Sequence, residues 1–265
     1  MNVLSNSRPT QSGERGFSIT AQDPLVSIII PTYCEGENIA RCLGSIREQK
    51  FVRGGIETII VDSDSPDDTR KIARRYAAKV ANIRLRGVSK ARNAGAREAR
   101  GGVLIFLDAD TILHPDFVAE IYNCFSSPNT VCISGALVGL ESLSVLDNLF
   151  KFFHYGLVNK IAALSARLGF PLFPTVCLAC RKSAFHDIGG FDEGLAIAED
   201  LVFSLKMGRA GRCSVQNGAR AYTSLRRVTK NGRLRNYLVY FKNYFKVFVL
   251  NQKPWIQDFP HTVET

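Results

Sequence analysis

The sequence predicts an α/β fold built on a mostly parallel central sheet with helices on both faces. Three observations carry this. Apolar runs of strand length recur at residues 25–33, 56–63 and 103–108. Stretches with apolar residues at helical spacing separate them. The runs are nearly continuous in apolar character, as strands covered on both faces require. Strand–helix alternation of this kind implies parallel pairing through crossover helices.

Taken in order, the first 23 residues are polar, contain no apolar leader segment and read as a mobile tail. "LVSIIIPTY" (25–33) is the first strand, and Pro31 ends it. A helix within 35–49 carries Ile39, Cys42, Leu43 and Ile46 on one stripe. "IETIIVDS" (56–63) is the second strand. The next helix, 66–80, opens with Pro66, Asp67 and Asp68, which suit a first turn; its stripe is Ile72, Ala73, Tyr76 and Val80. A short third strand is expected around Ile83, then a small-residue helix at 89–99, then the strand at 103–108. The second half is less regular. A strand is expected at 130–140, and a long helical region at 143–168 with a polar break at Asn159 and Lys160. "FPTVCLACRKSAF" gives a strand and a helix start. Gly189 and Gly190 make a turn before Phe191. A helix at 198–211 ends at Gly211, two short strands fall in 212–223, and an aromatic, basic helix covers about 231–250. The organisation is a tail (1–23), one domain (24–225) and a helical C-terminal extension (226–265).

The 265 residues are 46% hydrophobic, enough for a sizeable core, and the net charge of +10 favours anionic partners. Seven cysteines, an odd number, argue against a secreted disulfide framework. Cys177 and Cys180 form one CxxC, but a structural zinc site needs four ligands and no second pair is present. No apolar run reaches the length of a membrane span.

The strand ends hold the chemistry. Asp62 closes the second strand, and Asp108 and Asp110 close the strand at 103–108. In open parallel sheets ligands bind at the carboxyl ends of the strands. Like charges gathered there repel and resist desolvation. A divalent cation relieves both, and hard carboxylate oxygens suit Mg²⁺ or Mn²⁺, which keep waters and bind substrate phosphates.

Four ordered motifs then add a resemblance. "IIIPTYCEGENI", "IIVDSDSPDDT", "GVSKARNAGAREARGGVLIFLDAD" and "RKSAFHDIGGFDEGLAIAEDLVFSLKMGRAG" are similar to the segments of family 2 glycosyltransferases, over roughly residues 25–223. The resemblance implies the GT-A fold, a Rossmann-like sheet that binds a nucleotide-diphosphate sugar, and inverting transfer assisted by Mn²⁺ or Mg²⁺. It places Pro31, Thr32 and Tyr33 in the loop that holds the base. Glu35 lies near the ribose or is structural. Asp62 would accept a hydrogen bond from the base, Arg92 would sit beside base or diphosphate, and Asp108 would bind ribose or a water. Asp110 is the implied metal ligand. Asp200 is the implied general base for the acceptor hydroxyl, with Glu199 beside it, and Arg226 and Arg227 are candidate diphosphate or acceptor contacts. Two positions depart from the family pattern: Cys34 stands where relatives commonly carry Asn, and Ser63-Asp64 where many carry Asp-Gly.

The aromatic, basic segments 149–168 and 231–250 could pack on the core, on a second subunit or on a membrane surface. The expectation is a cytoplasmic protein, peripheral on the cytoplasmic membrane face, acting on a carbohydrate or lipid-linked acceptor. Rival readings are sugar transfer to a polyprenyl phosphate, for which Asp200 would matter less, and a non-catalytic basic protein binding nucleotide or nucleic acid. No recognisable nucleic-acid motif supports the last, and no nucleic-acid partner is expected.

Overall fold

In a computed structural model the described residues are 26–50, 54–76, 78–84, 87–140, 142, 144–195, 198–224 and 242. The expected tail 1–23 and the extension 226–265, with Arg226 and Arg227, lie outside them apart from Lys242. The strands are β1 (Val26–Thr32), β2 (Ile56–Asp62), β3 (Lys79–Asn82), β4 (Val103–Leu107), β5 (Ile112–Leu113), β6 (Thr130–Gly139), β7 (Cys177–Arg181) and β8 (Arg212–Thr223). The helices are α1 (Ile39–Arg47), α2 (Thr69–Arg75), α3 (Val88–Glu98), α4 (Phe117–Cys124), α5 (Val145–Arg167), α6 (Lys182–Asp187) and α7 (Glu199–Ala210).

The eight strands form one sheet in the order β3-β2-β1-β4-β7-β6-β8-β5. The first four run parallel, as strand–helix alternation demands. β7 then enters antiparallel to both β4 and β6. The sheet is therefore mixed beyond β4, because β7 joins directly beside β4 without a parallel crossover. Both sheet faces are covered. Ile28, Ile30, Ile60, Ile105 and Leu107 pack with α1 and α4 on one side. Ile29, Ile59, Val61, Leu104 and Phe106 pack with α3, α6 and α7 on the other. This explains why the strands read as continuous apolar runs: each alternate residue meets a core.

Three expected elements differ. The helix expected to reach Val80 stops at Arg75, and Val80 instead belongs to β3, one strand register before Ile83. The two strands expected in 212–223 are one, β8, which shifts register between Gly135 and Ala136 of its partner; Gln216 and Arg220 flank the irregularity. The polar break at Asn159 and Lys160 does not exist, since α5 runs unbroken for 23 residues. Asn159 is polar because it serves β6. Its Nδ2 donates to the Leu137 carbonyl at 2.8 Å and its Oδ1 accepts from the Leu137 N–H at 2.9 Å, replacing a missing strand neighbour.

All seven cysteines are free thiols. Cys177 and Cys180 are fully buried, and burial pushes Cys177 up to about 12. They behave as small apolar residues.

Helix α3 lies unusually close to the sheet through Gly95. A Cβ there would fall 2.4 Å from Ile29 Cγ2 and 3.0 Å from Val61 Cγ2. Gly95→Ala is expected to destabilise the protein by about 2 kcal/mol through overpacking, read as a lowered urea midpoint at unchanged slope.

Candidate active site

The carboxyl ends of β1, β2 and β4 and the amino end of α7 define the site. Thr32 and Asp62 are register partners closing β1 and β2. Asp62 is fully buried. Its Oδ2 accepts from Thr32 Oγ1 (2.9 Å) and Ser65 Oγ (2.6 Å), its Oδ1 accepts from the Ser65 N–H (2.9 Å), and Arg70 Nε stands 3.6 Å from Oδ1. Its oxygens thus meet four protein donor groups, and the residue braces the loops that follow β1 and β2. Ser65 Oγ also accepts from the Cys34 N–H, and Thr69 Oγ1 from the Glu35 N–H, lacing the β1–α1 and β2–α2 loops together. Pro31 and Tyr33 lie half-buried at the same strand end.

The residues at the two departures from the family pattern adopt the left-handed region: φ is +53° at Cys34 and +62° at Asp64. Asn and Gly, the commoner residues there, are the ones that tolerate this backbone. Ala198, which precedes α7, is the third such residue, at +62°. Strained backbone of this kind persists where surrounding structure enforces it.

A second carboxylate group lies two strands from Asp62, across β1 from β2 to β4. Asp108 directly follows β4. Its N–H donates to the Val176 carbonyl, and its own carbonyl accepts from the Thr111 N–H, closing the turn that carries Asp110. Asp110 and Glu35 are nearly buried and Asp108 is partly exposed. Burial, together with the negative charges of Asp110, Asp108 and Glu35, pushes the Cys42 thiol far up. All three carboxylates therefore lie within electrostatic reach of Cys42 on α1, whose Sγ lies 3.8 Å from the Asp108 carbonyl oxygen. Asp62 closes β2 and Asp108 follows β4, on either side of β1. Among the described residues no three His, Cys, Asp or Glu side chains form a ready-made metal cage. Hard carboxylates at the strand ends still fit Mg²⁺ or Mn²⁺, which bind through one or two carboxylates plus waters and phosphate oxygens.

Arg92 joins this group to α7. It projects from α3 and is almost wholly buried. Its Nη2 lies 3.3 Å from Asp108 Oδ1 and its Nη1 donates to Glu199 Oε1 at 2.9 Å. Its guanidinium stands over the Phe191 ring, 5.3 Å from the centroid. Arg92 is thus held between two carboxylates. The next residue, Asn93, was unassigned in the sequence reading although it sits in the same motif. Its Oδ1 accepts from the Phe191 N–H and its Nδ2 donates to the Phe191 carbonyl, fixing the turn at Gly189 and Gly190. Phe191 stacks on Phe203 of α7 at 4.0 Å and meets Phe106 of β4 edge-on at 4.9 Å. This aromatic packing seats the amino end of α7 against the end of β4.

Asp200, in the first turn of α7, is partly buried, and its Oδ1 accepts from the Leu201 N–H at 2.8 Å. Burial and the neighbouring Glu199 charge push its carboxyl up to about 7, against the Leu201 N–H and Arg92, which favour the ionised form. A carboxyl poised near neutrality beside a cluster of acids is equipped for proton transfer.

Fold and site together define an α/β protein with acidic side chains at the carboxyl ends of its strands. The sequence profile of glycosyl transferase family 2 matches residues 27–189. The chain belongs to this family. Among curated relatives, glycosyltransferase AglE of Haloferax volcanii is 32% identical over 201 residues, covering 73% of this chain and 64% of that protein. Poly(ribitol-phosphate) beta-N-acetylglucosaminyltransferase TarS of Staphylococcus aureus is 26% identical over 76% of this chain and 35% of its own length. The chain thus spans less than two thirds of either relative. Of solved structures, the mannosyltransferase PcManGT of Pyrobaculum calidifontis superposes with a TM-score of 0.65 at 22% identity, covering 91% of this chain and 68% of that one. A fragment of S. aureus TarS superposes with a TM-score of 0.63 at 21% identity, covering 89% and 77%. The architecture is the GT-A fold.

Arg92→Met leaves Asp108 and Glu199 facing each other without their shared cation. The expected loss of stability is about 3 kcal/mol, measured by equilibrium denaturation, with Arg92→Lys intermediate because one ammonium cannot reproduce two guanidinium contacts.

Proposed function

We propose that the protein moves a sugar from a nucleotide-diphosphate donor to an acceptor hydroxyl, with inversion and with Asp200 as general base. The observation that carries this is Asp200 held near neutrality at the edge of the Asp108 and Asp110 cluster, linked to it through Glu199 and Arg92. Two structural neighbours lend support: TarS was solved with UDP and with UDP-GlcNAc, and PcManGT with GDP-Man and Mn²⁺.

In this reading residues 24–225 form the catalytic domain. The loop of Pro31, Thr32 and Tyr33 holds the base, and Asp62 keeps that loop in shape from beneath. Glu35 and Asp108 lie toward the ribose and diphosphate. Asp110 would hold a divalent cation, which when bound would supply positive charge to a diphosphate leaving group. The acceptor hydroxyl approaches from the α7 side. Asp200 takes its proton as the oxygen bonds to the anomeric carbon, and the bond from that carbon to the diphosphate breaks on the opposite face. One base and one displacement invert the centre. Arg92 restrains Glu199, so that the neighbouring negative charge keeps Asp200 basic enough to act.

A second reading has one observation in its favour, the exposed apolar face of α5. It is that the acceptor is lipid-linked, in the limit a polyprenyl phosphate, and that the protein works at a membrane surface. A phosphate oxygen is already ionised near neutral pH and needs no base, so the two readings separate at Asp200.

Asp200→Asn is expected to lower kcat about 10³-fold with donor binding unchanged within twofold, measured by initial rates and by calorimetry with the donor. Wild-type activity in this variant would favour the phosphate acceptor. Because the carboxyl is raised to about 7 from 3.8, its basic form is lost as pH falls, and kcat/KM should drop about tenfold per unit below pH 7. The same shift has a stability sign. The folded protein holds this proton more tightly than the unfolded chain, so its contribution declines as pH rises from about 4 to 7. Asp200→Asn should therefore be more stable than the parent at pH 8, by on the order of 1 kcal/mol. Chelation with EDTA, or Asp110→Asn, should cut turnover at least about 100-fold, with Mn²⁺ restoring the chelated parent but not the variant.

A further inference from the structure

Every large hydrophobic side chain that stands exposed among the described residues lies between Val145 and Phe170, on α5 or just beyond it. Exposure runs from 80% at Val145 through 73% at Phe152 to 48% at Phe170. Helix α5 is about 35 Å long, so the stripe is far larger than the scattered apolar residues of an ordinary surface. The helix cannot roll to hide it. Its opposite face is pinned to the sheet by Asn159 on both backbone groups of Leu137, by Lys151 Nζ on the Leu140 carbonyl at 2.7 Å, and by Tyr155 OH on the Thr223 carbonyl at 3.3 Å.

Charge decides what covers this face. Its exposed charged residues on α5 are Lys160 and Arg167, both cationic. A second copy packed symmetrically would bring a second Lys160 and Arg167 to this face and no exposed acid of α5 to pair with them. The chain's own residues 225–265 carry eight Lys and Arg against two acids, Asp258 and Glu264, and offer no better match. Burying unpaired cations against either is costly. An anionic lipid surface meets both demands at once: acyl chains receive the apolar side chains, while Lys160 and Arg167 extend their stems to the headgroups. At the carboxyl end of α5 a cavity of about 550 Å³, lined by Arg167, Arg212, Gly169, Pro171 and Gly208, sits beside exposed Leu168 and Phe170. No helix among the described residues is long and apolar enough to cross a membrane.

We propose that the outer face of α5 lies in the surface of an anionic lipid bilayer, with lipid phosphate between Arg167 and Arg212. The contact reaches the site through the segment after α5. The Leu172 N–H donates to Ser165 Oγ, the Phe173 N–H to Ser204 Oγ of α7, and the Val176 carbonyl accepts from the Asp108 N–H. A surface-bound acceptor would thus be held on the α7 side, a consequence that rests on the transferase reading above. The lipid contact itself does not.

The test is flotation of the full chain with vesicles of phosphatidylcholine alone and with about a third phosphatidylglycerol. The wild type should bind the anionic vesicles at least about tenfold more tightly than the neutral ones. Phe152→Ser/Phe153→Ser/Leu157→Ser should weaken binding to the anionic vesicles at least about tenfold, and Lys160→Glu/Arg167→Glu should abolish the anionic preference. All these side chains are exposed, and thermal stabilisation by nucleotide sugar should be unchanged in both variants. No binding by the wild type, or equal binding by the variants, overturns the proposal. So does a concentration-dependent dimer that the triple variant dissolves, which would assign the face to a second copy. Loss of nucleotide-sugar stabilisation in the wild type, with vesicle binding intact, would refute the transferase reading and leave the lipid contact standing.

Discussion

Among the described residues Arg92 is the one buried cation, and the rest of the site is arranged around it. A buried guanidinium is tolerable only if carboxylates answer it, and it has two, Asp108 after β4 and Glu199 at the start of α7. Those carboxylates come from chain segments 91 residues apart in sequence. One belongs to the parallel half of the sheet, the other to the helix laid across it. Arg92 therefore sets the distance between the acids that would face the donor and the acid that would face the acceptor. It also sets a charge balance. Burial and then Glu199 raise the Asp200 carboxyl, and Arg92 lowers it, so the grip of Arg92 on Glu199 adjusts how basic Asp200 remains.

The packing around Arg92 explains why helix α7 can begin with two adjacent acids on a left-handed Ala198. No side chain caps that helix. What holds it is the aromatic cluster of Phe106, Phe191 and Phe203, together with the Asn93 clamp on the Phe191 backbone. Local preference is overruled by tertiary packing, the usual condition for strained backbone at a site of chemistry. The ends of β1 and β2 show the same pattern, since Asp62, Ser65 and Thr69 lace together two loops that carry Cys34 and Asp64 in the left-handed region.

The parallel half of the fold was legible in the sequence because strands buried on both faces print as unbroken apolar runs. Position at the strand ends was legible too: Thr32, Asp62 and Asp108 lie where the runs stop. Contacts were not. A carboxylate that braces a loop and one that faces a ligand look identical in sequence, so the donors that meet Asp62 are visible only in the fold. Arg92 was visible as a candidate, but its partner Glu199 is 107 residues away, beyond any periodicity. Asn159 misled for the opposite reason. A polar residue inside a helix suggests a break unless one knows that it feeds the open edge of β6.

The most direct measurement of the account is the acidic limb of the kcat/KM–pH profile in Glu199→Gln. This change removes the charge that, after burial, does most to raise Asp200, and frees Arg92 to favour its ionised form. The account predicts that a limb near pH 7 in the wild type moves to lower pH in the variant, with donor affinity preserved. A limb that stays in place, or moves to higher pH, would contradict the claim that Arg92 and Glu199 together tune Asp200.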